Sequence, residues 1–126
     1  MLTPNLPCHS GPEGQTLPTG LSQVIDAHVH VFPGGIFKAV RRWFSVHAWR
    51  NRYELSTTEV FQFLLDHGVG HIIALQYAHK PGMAQSLNQY MAAKCRHFAG
   101  RVTGLATVFP GEEGGAESLH EAFDLG

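Results

Sequence analysis

From Leu21 onward the chain alternates three times between a short run rich in β-branched residues and a stretch with helical periodicity. "QVIDAHVHVF" reads as a strand closed by Pro33-Gly34-Gly35, because branched and aromatic side chains suit a pleated surface and the Pro/Gly cluster stops it. The following "IFKAVRRWFSVHAW" has a loose helical stripe at Ile36, Val40, Trp43, Phe44 and Trp49. In "LSTTEVFQFLLDHGV", Ser56 followed three residues later by Glu59 forms a capping box, with Val60, Phe61, Leu64 and Leu65 on one face and Gly68 as the stop. "HIIALQY", residues 71–77, is the second strand, and "MAQSLNQYMAAKCRHFAG" the next helix, its stripe running from Met83 through Leu87, Tyr90, Met91 and Lys94 to Phe98. A third strand, "RVTGLATVFP", precedes a last helix, "GGAESLHEAFDLG", whose Leu119, Ala122 and Phe123 are expected to face inward. This order favours a parallel sheet built from right-handed crossover units.

The 126 residues suffice for one small domain, and an apolar share of 44% with 15% charged residues fits a globular chain. A net charge of -1 gives no electrostatic footprint for nucleic acid or an anionic membrane, so the expected partner is a small molecule or a protein. No run approaches the roughly 18 apolar residues that span a bilayer, and no basic segment precedes an apolar one at the N-terminus. These features point to a cytoplasmic protein, in which Cys8 and Cys95, far apart in sequence, are reduced thiols. Residues 1–20 hold four of the seven prolines and show no period, which reads as a disordered arm or an upstream start, leaving residues 21–126 as the folded domain.

Inside the first strand, two histidines stand one residue apart in an otherwise apolar run. Alternation puts Asp26, His28 and His30 on one face and Ile25, Ala27, Val29 and Val31 on the other. The two imidazoles then reach a common point near the strand's C-terminal end, where open α/β folds place ligands. Neutral imidazole is a good donor to a divalent cation such as zinc at about 2.0–2.1 Å. The same spacing on a half-exposed antiparallel strand carries no function. Asp26, one step deeper, is assigned a supporting role, bonded to backbone rather than to the ion.

"IDAHVHVFP" resembles the first-strand motif of the amidohydrolase superfamily, in the Asp-X-His-X-His-X-hydrophobic-Pro form of the branch containing aminocarboxymuconate semialdehyde decarboxylase. "GLATVFPGEEGGAESLHEAFDLG" resembles that branch's third strand and helix, so the likeness covers about residues 21–126. The resemblance implies the first three strand-helix units of a (β/α)8 TIM barrel, with a divalent metal, commonly zinc, bound by His28 and His30. A histidine and an aspartate from later strands would complete that site. The implied reaction is metal-assisted attack of water on a small carbonyl or carboxylate compound; the alternative is decarboxylation by the same site. Relatives often hold a substrate carboxylate with an arginine near the mouth. Arg41, Arg42, Arg50 and Arg52 are candidates that no motif separates; Arg52 is put forward, against a solvated helix face for most of them.

His79 follows the second strand, as a substrate contact or a solvated loop residue, while His47, His67, His71, His97 and His120 read as surface or capping residues. Trp43, Phe44 and Trp49 either roof a pocket or pack against the sheet. Eight units take about 250 residues, so the expectation is the N-terminal part of a metal-dependent hydrolase that, as 126 residues alone, binds metal weakly and turns over nothing. Two further readings stay open: a non-catalytic fragment that associates through an exposed sheet edge, and an unrelated α/β domain whose His-X-His is incidental.

Overall fold

The computed structural model describes Leu17 and residues 20–126, and the arm expected over residues 1–20 falls almost wholly outside them. Three parallel strands, β1 (Ile25–His30), β2 (His71–Leu75) and β3 (Val102–Gly104), pair in the order β1-β2-β3. Four helices accompany them: α1 (Gly34–His47), α2 (Thr57–Asp66), α3 (Ala84–Arg96) and α4 (Gly115–Asp124). Among the described residues no helix is long and apolar enough to cross a membrane.

The first three units of a barrel are therefore not what forms. The sheet is open, with β1 and β3 as edges, and two helices rather than one lie between β1 and β2. Barrel closure needs a continuous stagger and tilt around many paired strands; strands of six, five and three residues supply two short ladders and, among the described residues, leave both outer edges unpaired.

Local chemistry sets where each element stops. The Ser56 hydroxyl accepts from the Glu59 amide at 3.4 Å and the Glu59 carboxylate accepts from the Ser56 amide at 2.7 Å, satisfying two donors that a helix start would leave bare. Gly68 leaves the turn at φ +100°, a region costly for any side chain with a Cβ. β3 is shorter than the ten-residue run suggests. At Gly104 the Met91 side chain of α3 fills the space a Cβ would need, and Cys95 Sγ lies 3.0 Å from that position. Beyond it, Thr107 exchanges the ladder for the buried side chain of Asn88, which donates to the Thr107 carbonyl at 2.9 Å and accepts from its amide at 2.8 Å.

The core lies between the sheet and its helices. Val29, Val31, Phe32, Phe61, Ile72, Ala74, Met91 and Val102 form one cluster, and Ala78, Ala84 and Leu87 a second. Of the expected apolar face of β1, Val29 and Val31 are buried, whereas Ile25 and Ala27 remain exposed at the open edge. The expected inward face of α4 also needs correction: Leu119 and Phe123 are exposed, Phe123 by 73%, because α4 rests on α3 and buries no further than Ala122 partway.

Candidate functional site

β1 does not run evenly along β2. Ile25 and Asp26 pair with His71 and Ile72, and Val29 and His30 with Ala74 and Leu75, so Ala27 and His28 together stand opposite Ile73. Such a bulge bends the strand and re-aims a side chain. The amide of His28, displaced from the ladder, donates to Asp26 Oδ1 at 3.2 Å. Asp26 thereby fixes the backbone at the bulge through a short-range carboxylate bond.

Past the bulge the two imidazoles converge. Their Nε2 atoms are 3.0 Å apart, with ring centroids 4.8 Å apart and planes at 63°. With a proton on one Nε2, that contact is a hydrogen bond; with both bare, two lone pairs meet at one place. Two tetrahedral ligands at about 2.0–2.1 Å from one ion lie about 3.3 Å apart, so a few tenths of an ångström of adjustment would fit the pair to a cation. Burial of the His30 ring, and then the nearby His28, push the His30 pKa below its ordinary value. Both causes disfavour the imidazolium, leaving the ligand form dominant at neutral pH. Among the described residues no group of three or more His, Cys, Asp or Glu side chains gathers around an ion position.

The pair opens on a cavity of about 610 Å³. Asp26, His28, His30 and Tyr77 form its sheet side; Phe37, Val40, Arg41 and Phe44 come from α1, and Val60, Phe63 and Leu64 from α2. The connection between those helices adds Trp49, Arg50, Asn51, Arg52 and Tyr53. Three guanidinium groups face one carboxylate in this lining, which favours an anionic occupant. Arg41 lies 3.8 Å above the Phe37 ring centroid and donates through Nη2 to the Leu55 carbonyl, while its buried Nε has no hydrogen-bond partner.

Thus His28, His30, Asp26 and Arg52 share one cavity, as do Phe44 and Trp49. His79, Arg42 and Trp43 do not line it; His79 is exposed in the loop after β2, and Arg42 and Trp43 project from the outer side of α1. Sequence reasoning left Arg41 unranked and missed Tyr77, whose ring meets His30 edge to face at 5.8 Å. A signal existed for both: Arg41 follows Phe37 by one helical turn, and Tyr77 continues the His71, Ile73, Leu75 side of the strand pattern. Comparison with known protein families, curated proteins and solved structures gave no match.

Proposed function

We propose that this chain supplies a two-imidazole metal site, His28 and His30, to a metal-dependent hydrolase acting on a small anionic carbonyl compound. The observation that carries this reading is the 3.0 Å convergence of two Nε2 atoms at the wall of a cavity with three arginines. The likeness of "IDAHVHVFP" to the amidohydrolase first strand points the same way. A cytoplasmic setting accords with it, as does Cys95, a free thiol whose pKa burial raises.

A divalent cation of the zinc class would supply Lewis acidity, polarising a carbonyl and acidifying water. The chain's own residues do the rest. Asp26 holds the His28 backbone, and the Phe32 and Tyr77 rings flank the His30 imidazole. Guanidinium groups of Arg41, Arg50 and Arg52 suit a carboxylate, with the planar fork that permits two parallel hydrogen bonds. That cationic lining is also what favours the second reading, decarboxylation, because it would hold the group to be lost. Catalytic zinc ordinarily has three protein ligands, so these two bind metal without turnover unless a third is supplied.

Cobalt(II) titration followed by visible absorption tests the proposal. Saturable one-to-one binding is expected, lost in the double variant His28→Ala/His30→Ala and retained in Arg41→Ala. No saturable binding, or binding that survives loss of both imidazoles, overturns it.

A further inference from the structure

The net charge of -1 conceals two opposed fields. Five of the nine Lys and Arg residues fall between positions 38 and 52 with no carboxylate among them, and five of the ten carboxylates fall between 112 and 124 with no Lys or Arg. The first segment is α1 and its exit; the second is α4 and its approach. These helices follow β1 and β3, the opposite edges of the sheet, with β2 between them.

Each field also carries exposed apolar bulk. On α1, Lys38, Arg42 and Val46 recur every fourth residue and all are exposed, so they form one outward stripe. Val46 is 72% exposed and Trp43 beside it 55%. Lys38 and Arg42 do not line the cavity, which leaves their charges unused by the site described above. On α4, Glu117 and Asp124, seven residues apart, share one exposed side, and Phe123, 73% exposed, is the next residue round from Asp124. Partly solvated indole and phenyl rings still offer apolar area for burial, and apolar surface rimmed by charge is typical of a docking face.

We propose that the chain assembles head to tail, the basic, tryptophan-bearing face of α1 on one copy docking against the acidic, Phe123-bearing face of α4 on the next. The partner is a second copy because one exposed surface carries the charge complement of the other: Lys38 and Arg42 beside Trp43 on α1, Glu117 and Asp124 beside Phe123 on α4. The two faces differ, so the interface is heterologous and propagates as a ring or a short filament rather than as an isologous pair. The assembly is independent of the metal reading, since neither face uses the imidazoles.

Sedimentation velocity over a concentration series tests this, at salt from 0.01 to 1 M, where the Debye length falls from about 30 Å to about 3 Å. Concentration-dependent association that weakens by about tenfold or more across that range is expected, since the attraction is between exposed charges. Lys38→Glu/Arg42→Glu and Glu117→Lys/Asp124→Lys should each stay monomeric. An equimolar mixture of the two should associate again, because the reversed α1 of one complements the reversed α4 of the other. All four positions are exposed, and circular dichroism checks that each variant keeps its helices; the single changes Arg42→Glu and Glu117→Lys give a milder second pair. A monomer at every concentration and salt overturns the proposal, as does association indifferent to both reversals or a mixture that fails to re-associate. Wild-type protein that stays monomeric but binds phosphatidylserine vesicles through Lys38 and Arg42 assigns the basic face to lipid, and likewise overturns it.

Discussion

The two sides of the sheet treat their polar groups in opposite ways. Around β2 and β3 most are buried and consumed: Asn88 makes two bonds to the Thr107 backbone, the Thr107 hydroxyl accepts from the Ala78 amide at 3.1 Å, and Gln76 donates to the Leu87 carbonyl, its buried Oε1 alone lacking a partner among them. Around β1 they are left facing an open cavity, where His28 and His30 meet mainly each other and Asp26 braces a bulge. Buried polar groups must be paired or they cost free energy. The β2–β3 side therefore spends its hydrogen-bonding capacity on holding α3 and two strand exits in place, and the β1 side keeps capacity for something outside the chain.

The largest expected consequence is on the consumed side. Leu87 is 1% exposed, forms the second cluster with Ala78 and Ala84, and offers its carbonyl to Gln76. Leu87→Ala should destabilise the fold by about 2–5 kcal/mol, the range for a buried leucine that leaves a cavity, read as a shift in urea midpoint. Next comes Asn88→Ala, which leaves the Thr107 amide and carbonyl without their buried partner and should cost about 1–3 kcal/mol. A midpoint unmoved by Asn88→Ala would break the contrast, because the network would then hold nothing together.

What could be read from the sequence follows the same division. Elements fixed by local chemistry were legible: the Ser56 capping box and the Gly68 stop need only neighbours in sequence, and the three strands show in their own runs of branched residues. Elements fixed by contacts far along the chain were not. The early end of β3 depends on Met91 filling the side-chain space at Gly104, and β2 ends where Gln76 and Ala78 turn to α3 and Thr107, none of which periodicity reports. The alternation of β1 put His28 and His30 on one side, yet the bulge that aims them needs the register with β2. Expecting Leu119 and Phe123 to be inward assumed a surface beyond α4 to bury them. The partial barrel implied by the family resemblance likewise required one helix after each strand, whereas two helices, α1 and α2, lie between β1 and β2.

The capping box sits between the two sides, on the helix that packs on β2 and also lines the cavity. Ser56→Ala should cost about 1 kcal/mol near neutral pH. The Ser56 side chain is the main reason the Glu59 carboxyl titrates below its ordinary value, followed by the Ser56 backbone bond, with Arg41 a smaller contributor and desolvation opposing. A lowered folded-state pKa means that the unfolded chain takes up the proton first as pH falls. The stabilisation is then complete above the ordinary value of 4.5 and is lost as pH drops through the folded-state value. The gap between wild type and Ser56→Ala should accordingly narrow in acid, and a gap constant from pH 7 to pH 3 would show that the carboxylate half of the box contributes nothing.

The smallest effect on stability is expected where the proposed function resides. His28 and His30 are exposed and bonded to each other, so in chelator the His28→Ala/His30→Ala variant should stay within about 0.5 kcal/mol of wild type, as surface changes do. The two proteins should part only when zinc is added. A ligand that binds the folded chain alone stabilises it by RT ln(1 + [L]/Kd), about 2.7 kcal/mol at a hundredfold excess over Kd; wild type should gain and the variant should not. Equal gains would place the metal elsewhere, and a large loss in chelator would mean that the imidazole pair is a structural clamp like Asn88 and Thr107, erasing the difference between the two sides of the sheet.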